Sequence, residues 1–68
     1  MMDIYAGSGT LVIFTHPNNG YPGDQKEAAK FLEVGEVYTV EKTDVANWMT
    51  RVYLQEIPNV SFDSAMFE

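Results

Sequence analysis

Apolar positions in this chain recur at an interval of two, in short runs separated by turn residues. In residues 36–43, Tyr38 and Val40 fall on one face of an extended chain, and Val37 and Thr39 fall on the other. Residues 48–56 carry the clearest alternation. Thr50, Val52 and Leu54 oppose Met49, Arg51, Tyr53 and Gln55. Residues 10–15 are rich in β-branched and aromatic side chains and predict another strand. Its apolar run, Leu11, Val12, Ile13 and Phe14, covers both parities. Either both faces are covered, or the strand lies where a sheet curls over itself. Ser61 and Phe62 begin a short strand, and Phe67 and Glu68 supply a last one.

The intervening residues predict turns and one helix. Residues 16–24 form the longest irregular stretch, with Asn19-Gly20 and Pro22-Gly23 as turn dipeptides. Asp24 fits a helix N-cap, and Glu27 completes a capping box. Ala28, Phe31 and Leu32 make one apolar stripe. The spacing predicts a two-turn helix over 24–30, stopped by Gly35. Residues 44–47 and the pair Pro58-Asn59 predict turns. Asp63 is placed to cap a single helical turn over 63–66. Strands of this length and spacing imply a barrel or a small sandwich. The reading is mostly β: a small, partly open barrel of five strands with one short helix in its first long loop. Tyr38, Phe62 and Phe67 are its expected core aromatics.

At 68 residues the chain is one domain, read as a flexible lead-in over 1–9 and a barrel over 10–68. Such a chain buries roughly 60% of its surface, near the lower limit for folding without staples. It contains no cysteine, so stability rests on the 46% hydrophobic and 13% aromatic content. The ten acids and four bases leave a net charge of -6. Nucleic-acid backbones repel such a surface, because Lys and Arg must displace counterions. The acidity reads first as solubility, and second as attraction to a basic partner or mimicry of nucleic acid. The start, Met1-Met-Asp-Ile-Tyr5, lacks a basic region, and the apolar run 11–14 is too short for a signal peptide or a membrane span. The expectation is a cytoplasmic protein.

The element order resembles the small Src-homology-3-like barrel, with a long loop after strand one and a helical turn before the last strand. More narrowly, the chain resembles short uncharacterised proteins of bacteria and their phages. The residues that carry the likeness are Leu32-x-x-Gly35-x-x-Tyr38-x-Val40, Trp48-x-Thr50-x-Val52-x-Leu54 and Phe62-x-Ser64-x-x-Phe67-Glu68. The likeness implies the barrel and carries no activity, because fold does not determine function. The motifs of proline-rich-peptide binding are absent, so that ligand class is not implied.

Candidate chemistry is sparse. His16 is the only histidine, and with no cysteine a zinc site would need one nitrogen and several oxygens. Asn18, Asn19, Asp24 and Glu27 do not match the spacing of a calcium loop. Ser8, Ser61 and Ser64 have no histidine-acid arrangement to activate them. Gly7-x-Gly9 precedes a strand rather than a helix, which does not favour a phosphate cradle. The expectation is no enzyme and no cofactor. Exposed aromatics are better candidates. Tyr21 lies in the long loop, Trp48 could cap the open end of the barrel, and Tyr53 should face outward beside Arg51. Tyr21, Trp48 and Tyr53, with the loop residues His16, Asn18 and Asn19, form the candidate binding surface. The expected function is a non-catalytic binding module that contacts protein, with weak self-association through an edge strand. The alternative is an acidic inhibitor or nucleic-acid-related accessory protein of phage or mobile-element origin.

Overall fold

The structure, a computed structural model, describes residues 2–68. Met1, the first residue of the expected lead-in, lies outside the described residues. The elements are β1 (Leu11–Ile13), α1 (Pro22–Phe31), β2 (Val37–Val45), β3 (Thr50–Leu54), β4 (Ile57–Asp63) and a 3₁₀ turn (Ser64–Met66). The strands form an open antiparallel sheet of four, in the order β1-β2-β3-β4. The chain is therefore mostly β with one short helix. The expected fifth strand is reduced to one bridge, Phe14 to Phe67, with Ile13 and Glu68 exchanging backbone hydrogen bonds of 2.9 Å each way. The reason is local. The 3₁₀ turn runs to Met66, so only Phe67 and Glu68 lie extended beside β1.

β2 has two partners along its length. Its start pairs with β1 through Val37, Tyr38 and Thr39, and from Val40 onward it pairs with β3. The register shifts between Val40 and Lys42. Such a bulge bends a strand and raises its twist, which curls the sheet toward its inner face. Val12, Phe14, Val40, Val52, Leu54 and Phe62 are buried there. Tyr38 is half-buried, and its hydroxyl accepts the Glu33 N–H at 2.9 Å. Met2 is also buried, with Ala6 packed against the core, and its N–H donates to the Phe67 carbonyl at 2.9 Å, so the expected lead-in contributes to the core.

Three buried aromatic rings, and the exposed Phe31 at the end of the helix, meet in sequence. Phe14 meets Phe67 at 5.7 Å between centroids, Phe67 meets Phe62 at 6.4 Å, and Phe62 meets Phe31 at 6.5 Å. The last two pairs are edge-to-face, a favourable geometry for ring quadrupoles. The series links β1, residue 67, β4 and α1. Ala28 and Leu32 add the buried side of the helix.

Several boundaries differ from the sequence reading. α1 begins at Pro22, and Tyr21 holds the cap position without a side-chain bond. A proline in the first helical turn loses nothing, because the N–H there has no helical partner. Asp24 is thus inside the first turn and is not the cap. The helix ends at Phe31, where Leu32 turns extended to bury its side chain. Gly35, with φ +89°, makes the turn into β2 instead of stopping the helix. Ala46 N–H bonds the Met49 carbonyl at 3.0 Å, because pairs Asp44–Arg51 and Val45–Thr50 extend the hairpin past the expected turn at 44–47. The turn between β3 and β4 lies at Gln55–Glu56, not at Pro58–Asn59. Pro58 and Asn59 occupy a bulge within β4, where Leu54 pairs with Ile57 but Tyr53 pairs with Ser61. Asn59 has φ +69°, and a bulge tolerates both residues. Asp63 does cap the 3₁₀ turn, accepting the Ala65 N–H at 3.0 Å.

Gly20 holds the long loop against that turn. Its φ is +87°, and an added Cβ would lie 2.9 Å from Asp63 Oδ2 and 3.3 Å from Met66 Cε. Gly20→Ala should therefore cost about 2 kcal/mol or more in urea-unfolding free energy, from left-handed strain plus the displaced carboxylate. Gly7→Ala, where nothing lies within 4 Å, should change it by less than about 0.5 kcal/mol.

Candidate binding surface

The loop between β1 and α1 is stitched to the end of the chain that closes the sheet. Thr15 and His16 both donate their N–H groups to the Met66 carbonyl at 3.0 Å. His16 Nε2 lies 2.8 Å from Glu68 Oε1. Asn19 donates its side-chain amide to the Ala65 carbonyl at 3.0 Å. The Asn18 carbonyl accepts from the Gln25 side chain at 2.9 Å. His16 Nε2, the Asn19 side-chain N–H and the Asn18 carbonyl thus each have a partner within the chain. Tyr21 stands exposed immediately before α1.

The other two candidates lie on the β2–β3 hairpin. Trp48 sits in its turn and is 91% exposed. It therefore covers no part of the core, although its parity matches that of Val52 and Leu54. β3 begins only at Thr50, so strand parity does not extend back to residue 48. Tyr53 is half-buried, with Lys42 Nζ 4.8 Å above its ring centre. Tyr21 and Trp48 are each three residues from a member of the Asp24–Arg51 ion pair.

That ion pair is the shortest among the described residues. Arg51 Nη1 donates to Asp24 Oδ1 at 2.6 Å, Nε to Ser61 Oγ at 3.0 Å, and Nη2 to the Ser61 carbonyl at 2.7 Å. The guanidinium fork thereby joins α1, β3 and β4. The sequence placed Asp24 at a cap and Arg51 on an outward face; only the docking of α1 beside β4 brings them together.

One surface was missed as a site. Register pairs Leu11 with Thr39 and Ile13 with Val37, so these four residues share the outer face of β1 and β2. Leu11 is 67% exposed, Val37 51% and Ile13 39%. An antiparallel sheet with one solvated face ordinarily alternates apolar inward and polar outward. Here the outward positions of β1 are apolar too. The signal was the double-parity run 11–14. The buried parity is Val12 and Phe14, while Leu11 and Ile13 have no cover.

Two acids border this face. Ile13 and Glu68 exchange both backbone bonds, which places their side chains on the same face. Hydrogen bonding to His16 lowers the Glu68 carboxyl below its ordinary range. Glu56 grips the Thr39 N–H with both oxygens, at 2.9 and 3.0 Å. Desolvation acts to raise its pKa, but the Thr39 bonds prevail and hold it below its ordinary value. Among the described residues no group of three or more His, Cys, Asp or Glu is placed to hold a metal, no cleft opens, and no helix is long and apolar enough to cross a membrane.

Arg51→Met should cost about 2 kcal/mol in unfolding free energy and speed amide exchange in α1 above that in β3, because Asp24 then loses its partner. Arg51→Lys should recover less than half of that loss, since an ammonium cannot reproduce the fork. Glu56 gives a pH signature. A carboxyl whose folded pKa lies below its ordinary 4.5 contributes stability present above that value and lost as pH falls through the folded value. Thermal melts should show Glu56→Gln to be less stable than the parent at pH 7, with the difference shrinking as pH falls below 4.5.

Comparison with known proteins bears on the family. No curated protein and no solved structure matches the chain at a significant level. A family model described as Bacteriophage T4 protein Y07B matches residues 3–68, nearly the whole sequence. The chain belongs to that phage protein family.

Proposed function

We propose that this chain is a non-catalytic module that binds another protein through the outer face of β1 and β2. The observation that carries the reading is the exposed set Leu11, Ile13 and Val37, adjacent by register on one sheet face. Burial of such side chains against a partner contributes roughly 25 cal/mol per Å² of apolar surface removed from water. Contiguous apolar surface of this kind marks interaction sites more often than scattered single residues do. Trp48 offers a second exposed anchor of a residue type enriched at binding hot spots. The fold type we assign is the partly open, five-stranded Src-homology-3-like barrel. The meander β1-β2-β3-β4, the 3₁₀ turn and the Phe14–Phe67 bridge support it.

Self-association through an edge strand is less favoured than a face contact. β4 carries Pro58 and a bulge, which blunt an edge, and the other edge of β1 is partly met by residues 67–68.

The test is site-specific photocrosslinking in a bacterial host. A benzophenone amino acid at Leu11 should give one discrete adduct with a second protein, and Val37→Gln should reduce it several-fold. The same probe at Lys26, on α1, should not give that adduct. Equal, diffuse adducts from both positions, or none from Leu11, would rule the reading out.

A further inference from the structure

Resting on that reading, we propose that the β1–β2 face docks a protein whose apolar patch is bordered by lysine or arginine, and not a second copy of this chain. The argument is the distribution of charge around the apolar residues. Across the sheet the first row reads Glu68, Ile13, Val37. The second reads Leu11, Thr39, with the Glu56 carboxylate on the Thr39 N–H. Each row thus ends at an acid. Hydrogen bonds accepted from His16 by Glu68 and from Thr39 by Glu56 shift both carboxyls below their ordinary pKa. His16 Nε2 contacts Glu68 at 2.8 Å from the loop side.

All four cations of the chain lie elsewhere. Lys26 and Lys30 are on α1, and Lys30 lies 4.0 Å from Glu27. Arg51 is engaged by Asp24 and Ser61, and Lys42 lies over the Tyr53 ring beyond the β2 bulge. Among the described residues the face has acids at its border and no lysine or arginine beside them, and His16 meets Glu68 from the loop side. Two copies meeting face to face would bring Glu68 and Glu56 against like charges, on chains of net charge -6 each. A partner with a basic rim removes that conflict and gains steering during encounter.

Two synthetic amphipathic helical peptides test this, one with a leucine face flanked by lysines and one with the same face flanked by glutamates. Titrated into ¹⁵N-labelled protein at 0.15 M salt, the lysine peptide should move the amide signals of Leu11, Ile13 and Val37. It should bind about tenfold more tightly than the glutamate peptide, and the gap should narrow at 0.5 M salt. The double variant Leu11→Gln/Val37→Gln should keep its melting temperature and lose about tenfold in affinity for the lysine peptide. Equal binding of both peptides at this face would overturn the charge assignment and leave the docking face standing. Signal changes confined to another surface, or no binding, would overturn both. A dimer in sedimentation equilibrium that the double variant abolishes would assign the face to a second copy.

Discussion

Phe67 is the constraint on which the remaining structure depends. Its ring lies between Phe14, which directly follows β1, and Phe62 of β4, and β1 and β4 are the two outer strands of the sheet. Its carbonyl accepts the Met2 N–H, and its neighbour Glu68 pairs with Ile13. One residue thus connects both ends of an otherwise open sheet. β1 pairs with β2 through only three residues, so its position relies on this second neighbour. A chain of 68 residues without disulfides has few other means of ordering its interior, and aromatic rings remove the most area per residue.

That closure assigns the two faces of the sheet. The inner face is filled by side chains from every strand, with Ala28 and Leu32 of the helix added. The outer face divides in character. Over β3 and its neighbours it carries Arg51, Tyr53, Lys42 and Ser61 in internal contacts. Over β1 and β2 it carries Leu11, Ile13 and Val37 with no cover. The difference is what locates a binding surface on a molecule whose centre is occupied. The helix is kept away from that surface by the Asp24–Arg51 pair and by Phe31 against Phe62, both of which draw it toward β4.

The candidate aromatics and loop residues illustrate how far spacing reaches. Tyr53 was correctly placed outward by parity, because it lies within β3 and alternation holds there. Trp48 was misplaced by the same rule, because it precedes the strand. His16 and Asn19 read as available polar groups, yet the loop returns to residues 65–68, which engage them, while the Asn18 carbonyl accepts from Gln25. Sequence separations of 46 and 52 residues lie behind two of those contacts, and no local pattern encodes such distances.

Local chemistry by itself determined that β2 and β3 exist, the inward parity of Val40, Val52 and Leu54, the capped turn at Asp63 and the absence of disulfides. These depend on side-chain alternation and on hydrogen bonds between near neighbours. Tertiary structure decided the start of α1, the turn at Gln55–Glu56, the partner of Arg51 and the exposure of Leu11 and Ile13. Those outcomes turn on which element lies across from which. A run apolar on both parities states that two faces prefer cover, and only the closed chain decides which face is left without it.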